Sequence, residues 1–71
     1  MSQYIDSNSS QIKKFAYSDE KQMLEVVFRN NSSYAYADVT QEEFEAFRDA
    51  ESHGKHLNAE IKPNKPCTKI S

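Results

Sequence analysis

Residues 23–39 read as one hairpin, and this stretch constrains the fold more than any other part of the chain. Met23-Leu24-Glu25-Val26-Val27-Phe28 is apolar and β-branched, and Ser33-Tyr34-Ala35-Tyr36-Ala37-Asp38-Val39 alternates with period two. Between them, Arg29-Asn30-Asn31-Ser32 is a turn, because Asn tolerates the left-handed backbone that a two-residue loop needs. With Asn30-Asn31 as that loop, Phe28 faces Ser33, Val26 faces Ala35 and Leu24 faces Ala37 on one side of the sheet. Met23, Glu25, Val27, Tyr34 and Tyr36 then occupy the other side.

The flanks extend this unit. Gln11 to Tyr17 reads as a first strand ended by Ser18-Asp19-Glu20. Pairing Tyr17 with Met23 sets Lys13, Phe15 and Tyr17 on the tyrosine face and turns Lys14 toward the helix, which an edge strand tolerates. A slip of one residue buries Phe15 and Tyr17 instead; the first arrangement is preferred. Thr40, three residues before Glu43, has capping-box spacing and opens a helix over residues 41–51 with Phe44, Phe47 and Ala50 inward. Gly54, the only glycine, reads as a left-handed stop. A short second helix spans Lys55 to Ile61, and Pro63 prevents its continuation. The expected fold is therefore α+β: a three-stranded antiparallel meander, then one helix and a short second helix packed on one face. Residues 1–10 are expected to be a flexible lead-in, 11–62 the domain, and 63–71 a loosely held tail.

Seventy-one residues allow one small domain, whose core leaves a net stability of only about 3–5 kcal/mol. Self-association is a common remedy, so a homo-oligomer is expected. No apolar run approaches the length of a membrane span, and no secretory leader is recognised. Cys67 is the sole cysteine, which excludes an internal disulfide and a multi-thiolate zinc site. A cytoplasmic location follows as the expectation. The net charge is −2, with acids concentrated between Asp38 and Glu51 and lysines after Gly54. A broad basic face for duplex DNA is missing, but a local basic edge suits a few phosphates.

Tyr34-Ala35-Tyr36 is the most informative motif. Paired rings beside a lysine can stack bases and contact phosphates, each stacked base contributing about 1–3 kcal/mol. Equally, tyrosines favour strands and can simply cover a half-exposed sheet or meet a second copy. His53-Gly54-Lys55-His56 lacks further ligands at metal spacing, so no metal or cofactor is expected. Lys55 and His56 can instead meet a phosphate. Cys67 lies beside Pro66 with no fixed base, and the acids of the helix are spaced around it rather than converging. No catalytic constellation emerges, and the chain is not expected to be an enzyme.

The order Ser7, Ser9, Ser10, Ile12, Tyr17, Leu24-x-Val26-x-Phe28 and Tyr34-x-Tyr36-x-x-Val39 continues with Phe44 and Ala50-x-Ser52-x-Gly54-x-x-x-Asn58-x-x-Ile61-Lys62. This pattern resembles the KTSC domain over about Ile5 to Lys62. The family is named for its occurrence at the C-terminus of some lysyl-tRNA synthetases and also occurs alone in small bacterial and phage proteins. The resemblance implies a β-meander followed by helix, and RNA binding has been suggested for the family. This chain departs from the pattern at Ala16 and Asn30-Asn31, where glycine is usual, and at Thr40, where proline is common.

The function expected is a non-catalytic binding module for RNA, single-stranded nucleic acid or a nucleotide. Tyr34 and Tyr36 would stack on bases, with Lys13, Arg29, Lys55, His56 and Lys62 meeting phosphates. The alternative is a protein-interaction or inhibitor module working as a homo-oligomer. Such a protein, if phage-encoded, could act on a host defence component or sequester a nucleotide signal.

Overall fold

The computed structural model describes residues 4–70. Its sheet has five strands, not three: β1 (Ile5–Asp6), β2 (Ile12–Ser18), β3 (Met23–Phe28), β4 (Ser33–Tyr36) and β5 (Cys67–Lys69). They lie in chain order, each antiparallel to its neighbour. Helices α1 (Gln41–Arg48) and α2 (His53–His56) intervene between β4 and β5, and α2 runs on into a π-helical turn, Leu57–Ile61. The two extra strands come from the segments expected to be lead-in and tail; residues 1–3 and 71 of those segments lie outside the described residues.

The lead-in is tied down by its serines. Ser7 N–H donates to the Lys13 carbonyl at 3.0 Å, Ser9 N–H to Ser7 Oγ at 3.1 Å, and Gln11 N–H to Ser9 Oγ at 3.1 Å. Arg29 reaches across to the carbonyls of Ser9 (2.9 Å) and Ser7 (3.3 Å). These bonds satisfy backbone groups that a folded loop cannot leave bare. The tail is held through Ala37 N–H to the Pro66 carbonyl, 2.9 Å, and Ile70 N–H to the Ser33 carbonyl, 2.7 Å.

The hairpin register differs from the expected one by a single residue, and the consequence is large. The loop contains three residues, Arg29-Asn30-Asn31. Phe28 N–H donates to the Ser32 carbonyl at 2.8 Å, and Asn31 N–H to the Phe28 carbonyl at 2.9 Å. Asn31 takes the left-handed conformation, φ 70°, and Asn30 Oδ1 accepts from Ser32 N–H. This is a three-residue hairpin loop, a turn followed by a left-handed residue. Leu24 therefore pairs with Tyr36 and Val26 with Tyr34. A one-residue slip reverses every side chain, so both tyrosines face the helices rather than the open side.

The first hairpin follows the other of the two registers considered, with Phe15 opposite Val26 and Tyr17 opposite Leu24. Phe15 and Tyr17 thus join the helix side, and Lys14 does not point toward the helix. An irregularity between Ile12 and Lys14 lets Ile12 and Phe15, three positions apart, both enter the core. The core is Ile12, Phe15, Leu24, Val26, Tyr36, Val39, Phe44, Phe47, Leu57 and Ile61. Phe15 meets Phe47 edge-on at 4.9 Å, and Tyr17 stacks on Phe44 at 4.5 Å while donating its hydroxyl to the Val39 carbonyl at 2.6 Å.

Helix α1 begins as its local signal requires. Glu43 N–H donates to Thr40 Oγ1 (3.2 Å), and Thr40 N–H donates to Glu43 Oε1 (2.9 Å), a complete capping box. The helix ends at Arg48 rather than Glu51, and Ala50 is only half-buried. Gly54 is not a left-handed stop: it lies inside α2, and no glycine has positive φ. The lead-in lies close over it: a Cβ there would sit 3.2 Å from Ser9 Oγ and 2.6 Å from Oε1 at the end of the exposed Gln11 side chain, which can swing aside.

Candidate functional site

Turning the tyrosines over moves the candidate site from the open face to a groove at the margin of the helical layer. The open face carries Ala16, Glu25, Ala35 and Thr68 in one row across four strands. The groove, of about 350 Å³, is lined by Phe28, Asn30, Ser32, Tyr34, Tyr36, Asn58, Lys62 and Cys67.

Each element contributes a different chemistry to it. Strands β3 and β4 supply the rings: Phe28 and Tyr34 meet edge to face, 5.6 Å apart at 80°. The hairpin loop adds Asn30, and Ser32 follows just after it. The π-helical turn presents Asn58, and Lys62, the residue that caps it, follows four positions on. Its extra residue is visible in the bond from Lys62 N–H to the Leu57 carbonyl, 2.7 Å; such turns often sit at functional sites. Strand β5 adds Cys67, directly opposite Tyr36.

Tyr36 is the informative member. Only 2 % of the residue is exposed. Among the described residues its hydroxyl has no hydrogen-bond partner, whereas no fully buried side-chain polar atom lacks one. The hydroxyl is therefore the part of the side chain that opens into the groove. Burial, then the neighbouring Cys67 and Tyr34, push its pKa above the ordinary phenol value. At neutral pH it is an uncharged donor without an assigned acceptor.

Of the expected site residues, Tyr34, Tyr36 and Lys62 come together here, and Lys13, Arg29, Lys55 and His56 do not. Arg29 is committed to the carbonyls of Ser7 and Ser9. Lys13 is exposed on the irregular part of β2, and Lys55 is exposed on α2. His56 is half-buried with its ring 6.1 Å from Phe47. Phe28, Asn30, Ser32, Asn58 and Cys67 were not anticipated in the site. The available signal was parity: a three-residue loop sets Leu24, Val26, Phe28, Tyr34 and Tyr36 on one face.

A second polar cluster sits beside the C-terminal end of α1. His53 lies between Phe15 and Phe47, at 4.9 and 5.1 Å. Its Nε2 is 3.0 Å from the Arg48 carbonyl, which assigns the proton to that nitrogen, so Nδ1 accepts from the Ser7 hydroxyl at 2.6 Å. Ser7 is itself buried, 6 % exposed. The pair fastens the lead-in to α2. Among the described residues no three His, Cys, Asp or Glu side chains converge as metal ligands, and no helix is long and apolar enough to cross a membrane.

The structure is thus an α+β module, a five-stranded antiparallel sheet with two helices on one face and a mixed aromatic and polar groove at its edge. The chain belongs to the KTSC domain family, whose model matches residues 8–64. It is similar to the crystal structure of a KTSC domain protein from Yersinia pestis, with a TM-score of 0.94 and 31 % identity over the whole of both chains. It is also 38 % identical over 55 residues to an uncharacterized protein of Stutzerimonas stutzeri (strain A1501), covering 78 % of each.

Proposed function

We propose that this domain is a non-catalytic cytoplasmic binding module for a nucleotide-bearing ligand, whether RNA, single-stranded nucleic acid or free nucleotide. The ligand occupies the groove between the β3–β4 hairpin and the π-helical turn. The observation that carries this proposal is the Tyr36 hydroxyl, a neutral donor on a buried residue that opens into the groove without a partner among the described residues. Around it are the ingredients a nucleotide needs: a ring face from Tyr34, amides from Asn30 and Asn58, and a cation from Lys62. Calorimetric titration of the full chain with short single-stranded RNA and with nucleotides tests it. Binding is expected to weaken about tenfold or more in Tyr34→Ala, in line with the loss of one stacked base. Unchanged affinity in that variant overturns the site, and no binding of any of these probes overturns the function.

A second reading, self-association through the open face, is favoured by one feature. The shallow cleft over Ala16 and Ala35 is walled by Met23 and Ile70 and carries both Lys21 and Glu25. A two-fold pairing of this face would set the lysine of one copy against the glutamate of the other. Light scattering that gives a dimer mass, lost in Ile70→Lys, supports that reading; a monomer at all concentrations removes it.

A further inference from the structure

Resting on the proposed function, we infer that the groove takes one nucleotide unit, a single base with a single phosphate, rather than a run of strand.

Three features limit the ligand to one unit. The volume, about 350 Å³, is at the small end of ligand pockets, which run from about 300 to 1,000 Å³. The rings do not form a platform for successive bases. Phe28 and Tyr34 are edge to face at 80°, and Tyr36 is buried apart from the margin that meets the groove, so one ring face is on offer rather than a parallel series. Strand binders instead repeat stacking faces along a charged track.

The third feature is charge. Lys62 is the only cation in the groove lining, and it makes no ion pair among the described residues. Of the other bases, Lys69 stands opposite Tyr34 on β5 but lines no part of the groove, and the rest are elsewhere or engaged. Arg29 holds the Ser7 and Ser9 carbonyls, and Lys65 binds Glu43 Oε1 at 2.9 Å and the Asp38 carbonyl at 2.8 Å. Lys13 and Lys55 line no part of the groove. One cation can contact one phosphate group at a time. The remaining groups, the Asn58 amide, the Ser32 and Tyr36 hydroxyls and the Asn30 amide, suit the edge of one base and a sugar.

The same unit could be a free mononucleotide or the phosphorylated end of a strand, so the test carries both arms. The full chain is titrated with the four ribonucleoside 5′-monophosphates. The tightest is repeated as its nucleoside and as 5′-phosphorylated and 5′-hydroxyl homotetranucleotides, between about 50 and 200 mM salt. Removing the phosphate is expected to weaken binding about tenfold. The phosphorylated tetranucleotide should gain no more than about threefold over the monophosphate, with a log–log salt slope no steeper than about −1, that of a single phosphate contact. Loss of binding in the 5′-hydroxyl tetranucleotide assigns a strand end, whereas binding of the monophosphate alone assigns a free nucleotide. Tyr36→Phe, which removes an oxygen with no partner among the described residues, should leave the unfolding midpoint unchanged and weaken binding several-fold. Lys62→Gln should cost about tenfold and flatten the salt slope. Tetranucleotides that bind more than about tenfold tighter than the monophosphate, with or without the 5′-phosphate and with a slope near −2 or steeper, overturn the inference while leaving the broader function standing. Absence of binding by every probe overturns both.

Discussion

The two faces of the sheet are built from the same strands and have opposite contents. Toward the helices, Phe15, Val26 and Tyr34 form one row and Tyr17, Leu24 and Tyr36 the next. On the open side the corresponding row is Ala16, Glu25 and Ala35. Phe15 and Tyr17 are placed on that side by the β2–β3 register, and Tyr34 and Tyr36 join them because the β3–β4 loop counts three residues. With two, β4 would present alanines to the helices and tyrosines to water. What separates an aromatic core with a groove at its edge from an aromatic open face is thus a single residue in a turn.

Removing a ring from the covered face gives the largest expected effect. Phe47 is fully buried, edge-on to Phe15 and beside His53. Phe47→Ala should cost about 3–5 kcal/mol, comparable to the whole net stability of a domain this small, about 3–5 kcal/mol. The variant should be largely unfolded by circular dichroism at room temperature. The matching change on the open face, Glu25→Gln, should stay within about 0.5 kcal/mol. Equal losses in urea denaturation would mean that the open face is also packed, as in a dimer.

The loop itself comes next. Asn31 holds φ 70°, a conformation that costs most residues about 1–2 kcal/mol. Asn31→Ala should therefore destabilise by about 1 kcal/mol, and Asn31→Gly should recover or exceed the wild-type urea midpoint. If alanine is tolerated without loss, the three-residue loop is not what fixes the register.

This sensitivity explains which parts of the fold were legible. The α1 start was readable because Thr40 and Glu43 interact within one turn, and the three long strands because each carries its own apolar pattern. The register was not, because nothing in Arg29-Asn30-Asn31-Ser32 distinguishes a two-residue from a three-residue loop locally. The answer lies in the summed burial of Phe28, Tyr34 and Tyr36 on one parity, which is a tertiary quantity. Strands β1 and β5, two and three residues long, are too short to show any period. In the site, Tyr34, Tyr36 and Lys62 were visible as residue types. Asn58 and Cys67 acquire meaning only once the π-helical turn and β5 flank the same rings.

The smallest effect concerns the polar clamp that closes the covered side at the start of α1. Glu43 accepts from the Thr40 N–H and from Lys65 Nζ, and Lys65 also donates to the Asp38 carbonyl, so one carboxylate links the helix start to the segment leading into β5. The Thr40 N–H, then the Lys65 ammonium, hold the Glu43 carboxyl below the usual glutamate range against the opposing pull of burial. A depressed carboxyl contributes stability that is fully present above its unfolded pKa and lost as pH falls through the folded one. Glu43 is 42 % exposed at its side chain, so solvent screening limits the contribution to within about 1 kcal/mol. Glu43→Gln keeps an acceptor for Thr40 but not the charge. In urea denaturation the wild type should therefore be the more stable of the two at neutral pH, and the gap should close on acidification below the ordinary glutamate range. Other acids, such as Asp49 paired with Arg48, cancel in this difference. A gap that stays constant or widens as pH falls would show that the carboxylate charge does not hold the covered face closed, leaving hydrophobic packing alone to distinguish it from the open one.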